Sequence, residues 1–127
     1  MANDFLSYSK ENVAVDSGAY SVLYTVPAPV GPATYYRSIL LEVDISNTTS
    51  TDITCSVKVN KNRGGTGGTD DVFLIKGAPI PTGGALKAVS GQKIVLESSA
   101  TGQDTVSVAA SVASSADCIV SLLEGVG

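Results

Sequence analysis

The sequence contains no histidine and no tryptophan, and its 127 residues include only two phenylalanines and two cysteines. The absence of histidine removes the commonest general base and the commonest metal ligand, so Ser-His-Asp and Cys-His catalytic sets and the usual zinc sites are excluded. Basic residues are also few, with 8 Lys and Arg against 12 Asp and Glu, and they are scattered along the chain. This pattern argues against a surface that follows phosphates, so we expect no nucleic-acid partner. We also expect no enzymatic activity, no metal and no cofactor.

Long apolar runs are missing as well. No stretch approaches the roughly 18 to 20 apolar residues that span a bilayer, and the first residues do not place a basic segment before an apolar block. The sequence therefore predicts a soluble chain without a membrane partner.

What the sequence does contain is short stretches in which apolar and polar residues alternate. Hydrophobic residues make up 43% of the chain, and 13 Gly and 5 Pro separate the alternating stretches. The run from Thr105 to Glu124 is the clearest, because alternate positions of its first half are apolar. Those positions are Val106, Val108, Ala110 and Val112. We interpret this run as a closing β-hairpin with one dry face.

The same period recurs upstream and predicts an all-β fold, namely an antiparallel two-sheet β-sandwich that is jelly-roll-like and has eight or nine strands. We divide the chain into an N-terminal arm at residues 1–11, which either packs on a neighbour or frays, and a single sandwich domain at residues 12–127. The predicted upstream strands are Asn12 to Val15, Tyr20 to Val26, Tyr36 to Asn47, Ile53 to Val59, Asp71 to Ile80 and Lys93 to Glu97. Ala85 to Val89 is either a further short strand or one helical turn, and Ser90 to Gln92 is a turn.

The strand from Tyr36 to Asn47 carries the strongest apolar signal. Its predicted inward residues are Ile39, Leu41, Val43 and Ile45. The stretch from Ile53 to Val59 alternates in the same way after a short polar turn, so we predict that the two strands form a hairpin.

The two cysteines, Cys55 and Cys118, both fall on predicted apolar faces. Buried reduced thiols that pack as small hydrophobes are favoured over a disulfide. A disulfide stays open as the alternative, because it depends on whether the two strands are neighbours.

Three groups of residues have a chemical interpretation and a plainer one. Glu42 and Asp44 face the same side of one strand, but such carboxylates are typical of a solvated strand face. The glycine-rich segment from Gly64 to Asp71 lacks the Lys of a phosphate-binding loop, which favours a flexible hairpin loop. Asp70 and Asp71 supply fewer oxygens than calcium requires.

Five residues are candidates for an interface with another protein. Tyr35, Tyr36 and Arg37 lie beside a proline-rich turn, and aromatic and arginine side chains are typical of interface centres. Phe5 and Tyr8 are the aromatic residues of the predicted arm. A plainer interpretation of the first group is that Tyr36 belongs to the core and Tyr35 to its rim.

Three stretches of the chain, in this order, resemble small virion structural proteins of tailed bacteriophages. They are YTVPAP at Tyr24 to Pro29, the segment from Ser38 to Val59, and the segment from Phe73 to Glu124. The resemblance rests on a TVPA-type turn, a strand that ends in an asparagine and threonine turn, an IPTGG turn, a KIVLE strand and a closing SLLE.

The resemblance implies a compact sandwich that self-associates, commonly as a homotrimer, and that is located in the virion after assembly in the host bacterial cytoplasm. Its role would be that of an exterior capsid decoration or cement protein, bound to the major capsid protein or other virion proteins. The alternatives are a tail or neck fibre or receptor-binding tip domain, and a carbohydrate-binding β-sandwich module. No catalytic, cofactor or metal residue can be carried over from such proteins.

Overall fold

The computed structural model describes residues 4–32, 35–61 and 70–125. Within these residues the chain forms nine strands and no helix. In chain order the strands are β1 (Asp4–Lys10), β2 (Ser21–Thr25), β3 (Tyr35–Asn47), β4 (Ile53–Lys61), β5 (Asp70–Ile80), β6 (Ala85–Ser99), β7 (Gly102–Gln103), β8 (Thr105–Ala110) and β9 (Ala116–Glu124). The predicted glycine-rich loop at 64–69 lies outside the described residues, as do positions 1–3 of the predicted arm and positions 33 and 34 of the proline-rich turn.

The strands form two antiparallel sheets that face each other. Sheet A has the order β1-β9-β3-β6-β7, and sheet B has the order β2-β8-β4-β5. When the two-residue β7 is left out, each sheet has four strands, and successive long strands from β1 to β4 alternate between the sheets. This is the strand order of a jelly roll. The predicted all-β sandwich is confirmed.

The core is the layer between the two sheets. Because the chain has no tryptophan, aliphatic side chains fill this layer, and the largest of them are fully buried. They include Leu40, Ile45, Ile80, Leu96, Leu122 and Val57. Cys55 of β4 and Cys118 of β9 belong to the same layer as buried free thiols. At 127 residues, such a layer is large enough to hold a domain together without cross-links.

Both predicted hairpins are wrong, because each pair of strands is divided between the sheets. β3 lies in sheet A and β4 in sheet B, while β8 lies in sheet B and β9 in sheet A. The connection after β3 is held by the buried side chain of Asn47, which donates to the carbonyl oxygens of Thr51 and Ile80 at 2.7 and 3.1 Å. The two sheet-crossing connections also meet, since the Thr48 N–H donates to the Ser115 carbonyl at 2.9 Å.

A β-bulge in β3 changes which of its residues point inward. Leu40 pairs with Leu122 of β9 and Glu42 pairs with the next residue, Ser121, so Leu41 is an extra residue against β9. The pairing of β3 with β6 is irregular at the same point. Before the bulge the buried residues are Ser38 and Leu40, and after it they are Val43, Ile45 and Asn47. The predicted inward positions of Ile39 and Leu41 are therefore wrong, and those of Val43 and Ile45 are confirmed.

The segment predicted as an arm belongs to sheet A where it is described. Residues 4–10 form β1, which pairs in register with β9 from Asp4↔Glu124 to Lys10↔Cys118. The predicted strand at Asn12 to Val15 is wrong, because it is reduced to a single bridge between Val15 and Ala110. The predicted turn at Ser90 to Gln92 is also wrong, since β6 runs through it from Ala85 to Ser99.

We expect Val57→Asp to unfold the domain, because Val57 is fully buried at the centre of the interlayer. An unpaired carboxylate at this position costs about 3 kcal/mol or more, a large part of the stability of a domain of this size. Urea unfolding followed by circular dichroism measures the loss. The matched control is Val112→Asp, because Val112 is 51% exposed in the connection between β8 and β9. A cooperatively folded Val57→Asp variant would contradict the assigned inner face of β4.

The buried thiols predict a loss of stability in alkali. Burial raises the pKa of Cys55 to about 11 and that of Cys118 to about 12, both from an ordinary value of 9.0. The thiols of the unfolded chain therefore lose their protons at a lower pH than those of the folded chain. Their contribution to stability is complete below pH 9, falls as the pH rises above 9, and is lost once the pH has passed through 11 to 12. We expect the free energy of unfolding to fall less between pH 8 and pH 11 in Cys55→Ala/Cys118→Ala than in the native chain. An equal fall in the two proteins would contradict this assignment.

Candidate assembly surface

A row of apolar residues crosses the outer face of sheet A, which the sandwich leaves open. Cross-strand partners form the row: Phe5 of β1 pairs with Leu123 of β9, Leu123 pairs with Ile39 of β3, and Ile39 pairs with Val95 of β6. Phe5 is 78% exposed and Val95 is 48% exposed, while the middle two residues are half-buried. We call these four residues the apolar row. Cross-strand partners on one face lie side by side, so the row is continuous across four strands.

The row arises because the strands of sheet A have apolar residues at consecutive positions. Leu40, Leu96 and Leu122 are fully buried in the interlayer. Each is flanked in sequence by a member of the row, and successive residues of a strand point to opposite faces. The residues of the row therefore lie on the outer face of sheet A, directly beside core residues in sequence. A sheet with apolar residues on both faces is typical of one whose outer face is covered by another surface.

The two predicted interface residues of β1 point in opposite directions. Phe5 lies in the apolar row, whereas Tyr8 pairs with buried Val120 and packs against Tyr24 of sheet B with ring centroids 5.4 Å apart. The Tyr24 hydroxyl donates to the Glu124 carboxylate at 2.6 Å. Burial, followed by the hydrogen bond to Glu124, raises the pKa of Tyr24. Tyr8 therefore borders a buried contact between the sheets, although 42% of it is exposed.

The other three predicted interface residues lie at the start of β3. Tyr35 is exposed, and the guanidinium of Arg37 lies over its ring at 5.2 Å from the centroid. Arg37 also faces Glu97 on β6 at 3.6 Å. Tyr36 packs against the core. The structure thus places Phe5, Tyr35 and Arg37 on the outer face of sheet A and Tyr36 on its inner face.

Charged side chains border the apolar row on β3 and β6. The Lys87 ammonium lies 3.4 Å from a carboxylate oxygen of Glu42 and 3.4 Å from one of Asp44. The hydrogen bond and charge of Asp44, and then those of Glu42, raise the pKa of Lys87. These carboxylates share one exposed cation, which is the arrangement of a solvated strand face.

The outer face of sheet B carries a second group of exposed side chains. Tyr20 precedes β2 at one edge of the sheet, yet its ring reaches Phe73 of β5 at the other edge, with centroids 6.4 Å apart. Between these two edges lie β8 and β4, whose outward residues Ser56, Ser107 and Ala109 are small and buried. The Lys58 ammonium lies 4.4 Å from the centroid of the Tyr20 ring.

Polar partners lie beside this aromatic pair. Asp71 accepts hydrogen bonds from the Asn60 amide at 2.8 Å and from the Lys58 ammonium at 3.3 Å. The bond from Asn60, and then that from Lys58, lowers the pKa of Asp71. Asp71 therefore belongs to a polar network on the outer face of sheet B, next to Phe73.

Sequence reasoning missed Leu123, Ile39 and Val95 as surface residues, although a signal was present. Strict alternation predicts a strand with one dry face, but three successive apolar residues place apolar side chains on both faces. Ile39 to Leu41 and Ile94 to Leu96 are such triplets, and Leu122 with Leu123 is a doublet. Tyr20 and Phe73 had no comparable signal, because their meeting depends on the strand order of sheet B.

Comparison with protein-family models, with curated proteins and with solved structures found no match to this chain. In the described part of the chain, no group of three or more Cys, Asp or Glu residues is placed to hold a metal ion. The same residues include no helix that is long and apolar enough to cross a membrane.

If the apolar row mediates association, a charge within it will weaken that association without unfolding the sandwich. We expect Val95→Lys to lower the association constant at least tenfold in sedimentation experiments, because desolvating an unpaired ammonium opposes contact. The control is Val22→Lys, since Val22 is 58% exposed on β2, in the other sheet. Equal association of the two variants would show that the row is not the contact.

Proposed function

We propose that this chain is a non-enzymatic structural protein of a bacteriophage virion, and that it serves as an exterior capsid decoration or cement protein. The observation that carries the proposal is the apolar row, which crosses four strands of sheet A on the face opposite the core. A protein whose role is assembly needs an apolar surface of this kind, displayed on a rigid scaffold.

Two further features support an assembly role. β1 is an edge strand of sheet A, and an edge strand offers backbone groups for pairing with another chain. Charged groups border the row, which is typical of the polar rim around the centre of an interface. We infer self-association, with a homotrimer as the expected state, and attachment of the assembled copies to the major capsid protein.

The outer face of sheet B supports a second candidate function, namely binding of a host glycan by a fibre tip or a carbohydrate-binding module. Tyr20 and Phe73 supply aromatic rings, and Asn60 and Asp71 supply amide and carboxylate groups beside them. Lys58 and Lys76 lie over these two rings, so the cations compete with a sugar for the aromatic faces. This competition makes the glycan function the second candidate.

The test of the decoration function is the position of the chain in the particle. We expect antibody against the chain to label the capsid exterior in electron micrographs of purified virions, and the purified protein to sediment with expanded empty capsids. Val95→Lys, which we expect to weaken self-association, tests whether the separated copies still sediment with the capsids.

Two outcomes would contradict the decoration function. Labelling confined to the tail or neck would favour a fibre role. Binding to a glycan array that Phe73→Ala abolishes, together with an unlabelled capsid, would favour the carbohydrate-binding candidate.

A further inference from the structure

β1 is paired with the rest of the sandwich through a single strand. It is an edge strand, and among the described strands its backbone pairs with β9 alone. Phe5 and Tyr8, its two aromatic residues, are both exposed. β1 therefore forms one seven-residue ladder with β9 and leaves much of its apolar surface uncovered.

The segment that follows β1 has the features of a hinge. Glu11 and Asn12 are both exposed, and Asn12 has a φ of 55°, in the left-handed region that few non-glycine residues occupy. A surface pocket of about 270 Å³ is lined in part by residues 9–11, and the hydrogen bond that the Asn12 N–H donates to the Asp117 carboxylate at 3.0 Å is exposed to water. Two exposed residues, of which Asn12 is in the left-handed region, can absorb a large change of chain direction.

The chain is anchored immediately after the hinge. Val13 is fully buried, its N–H donates to the Ala116 carbonyl at 2.9 Å, and its carbonyl accepts from the Ser114 N–H. A motion about Asn12 would therefore leave the sandwich from Val13 onward intact. It would displace only β1, whose seven residues span roughly 23 Å.

We propose that β1 is exchanged between copies of this chain, so that β1 of one copy pairs with β9 of the next. The exchanged strand forms the same ladder, from Asp4↔Glu124 to Lys10↔Cys118, and restores the same contacts with the core. Such an exchange costs little, because each contact that is lost within a chain is regained between chains. The apolar row then includes Phe5 from a second copy. The inference rests on the proposed self-association and adds its mechanism.

Cyclic exchange is compatible with a closed ring of any number of copies, including the expected trimer. Each copy donates one strand and accepts one strand, so the contact is the same at every interface. When β1 swings away from β9 of its own copy, the edge of β9 is left unpaired. The β1 strand donated by another copy then pairs with that edge.

Two single-cysteine variants test the exchange. Ser7 and Ser121 are register partners on β1 and β9, and paired strands hold such residues within the range that a disulfide requires. Ser7→Cys and Ser121→Cys are placed in separate copies that carry tags of different mass, expressed together and oxidised mildly. With exchange, we expect a covalent pair that contains both tags on a non-reducing gel, because the two cysteines meet only between chains.

The matched control uses the other neighbour of the same residue. Glu42 of β3 is also a register partner of Ser121, and exchange of β1 leaves the pairing of β3 with β9 within one chain. Glu42→Cys and Ser121→Cys in separate copies should therefore give at least tenfold less of the mixed product. Cys55 and Cys118 are buried and are present in every variant. A single chain carrying both Ser7→Cys and Ser121→Cys reports the register itself, because it forms a disulfide with or without exchange.

The possible outcomes distinguish failure of the exchange from failure of self-association. An oligomer without the mixed product, in which the double-cysteine chain forms its disulfide internally, overturns the exchange and leaves self-association standing. A chain that is monomeric at every concentration overturns both. Failure of the double-cysteine chain to form any disulfide overturns the exchange, because it contradicts the register from which the exchange is inferred.

Discussion

Sheet A is apolar on both of its faces, and the sandwich covers only one of them. Leu40, Leu96 and Leu122 face sheet B, and an apolar residue next to each in sequence faces outward. Folding buries the inner face of sheet A between the two sheets. The apolar row on its outer face stays in contact with water, which is unfavourable in free energy. This imbalance connects the packing of the domain with its proposed role in an assembly.

The sequence predicts a good part of this fold, because alternation reports which residues of a strand are dry. The inner residues Val57 of β4 and Val106 and Val108 of β8 follow directly from a period of two. The same reasoning predicts two thin sheets packed by aliphatic side chains, since no tryptophan is available to fill a thicker layer. The two-layer architecture needs no further information.

Alternation cannot predict which strands are neighbours, and this limit explains the wrong hairpins. A polar turn between two alternating strands is compatible with a return in the same sheet and with a crossing to the facing sheet. The crossing after β3 is stabilised by the Asn47 amide, which donates to the carbonyl oxygen of Ile80, 33 residues away. The bulge at Leu41 is similarly invisible, because a run of apolar residues fits either phase. The apolar row was missed because strict alternation assigns one dry face to each strand, whereas Phe5, Tyr35 and Arg37 were predicted as interface residues from residue type alone.

The register between β1 and β9 has a consequence for the order of folding. Asp4 pairs with Glu124, so β1 cannot pair with β9 until more than a hundred further residues have been synthesised. At about 5 to 20 residues per second, this interval lasts roughly 5 to 25 s. The strand spends that time beside the ribosome with its aromatic side chains and backbone groups in water. Closing so long a loop also makes this ladder slow to form. The pairing of β1 with β9 is therefore a late step in the folding of a nascent chain.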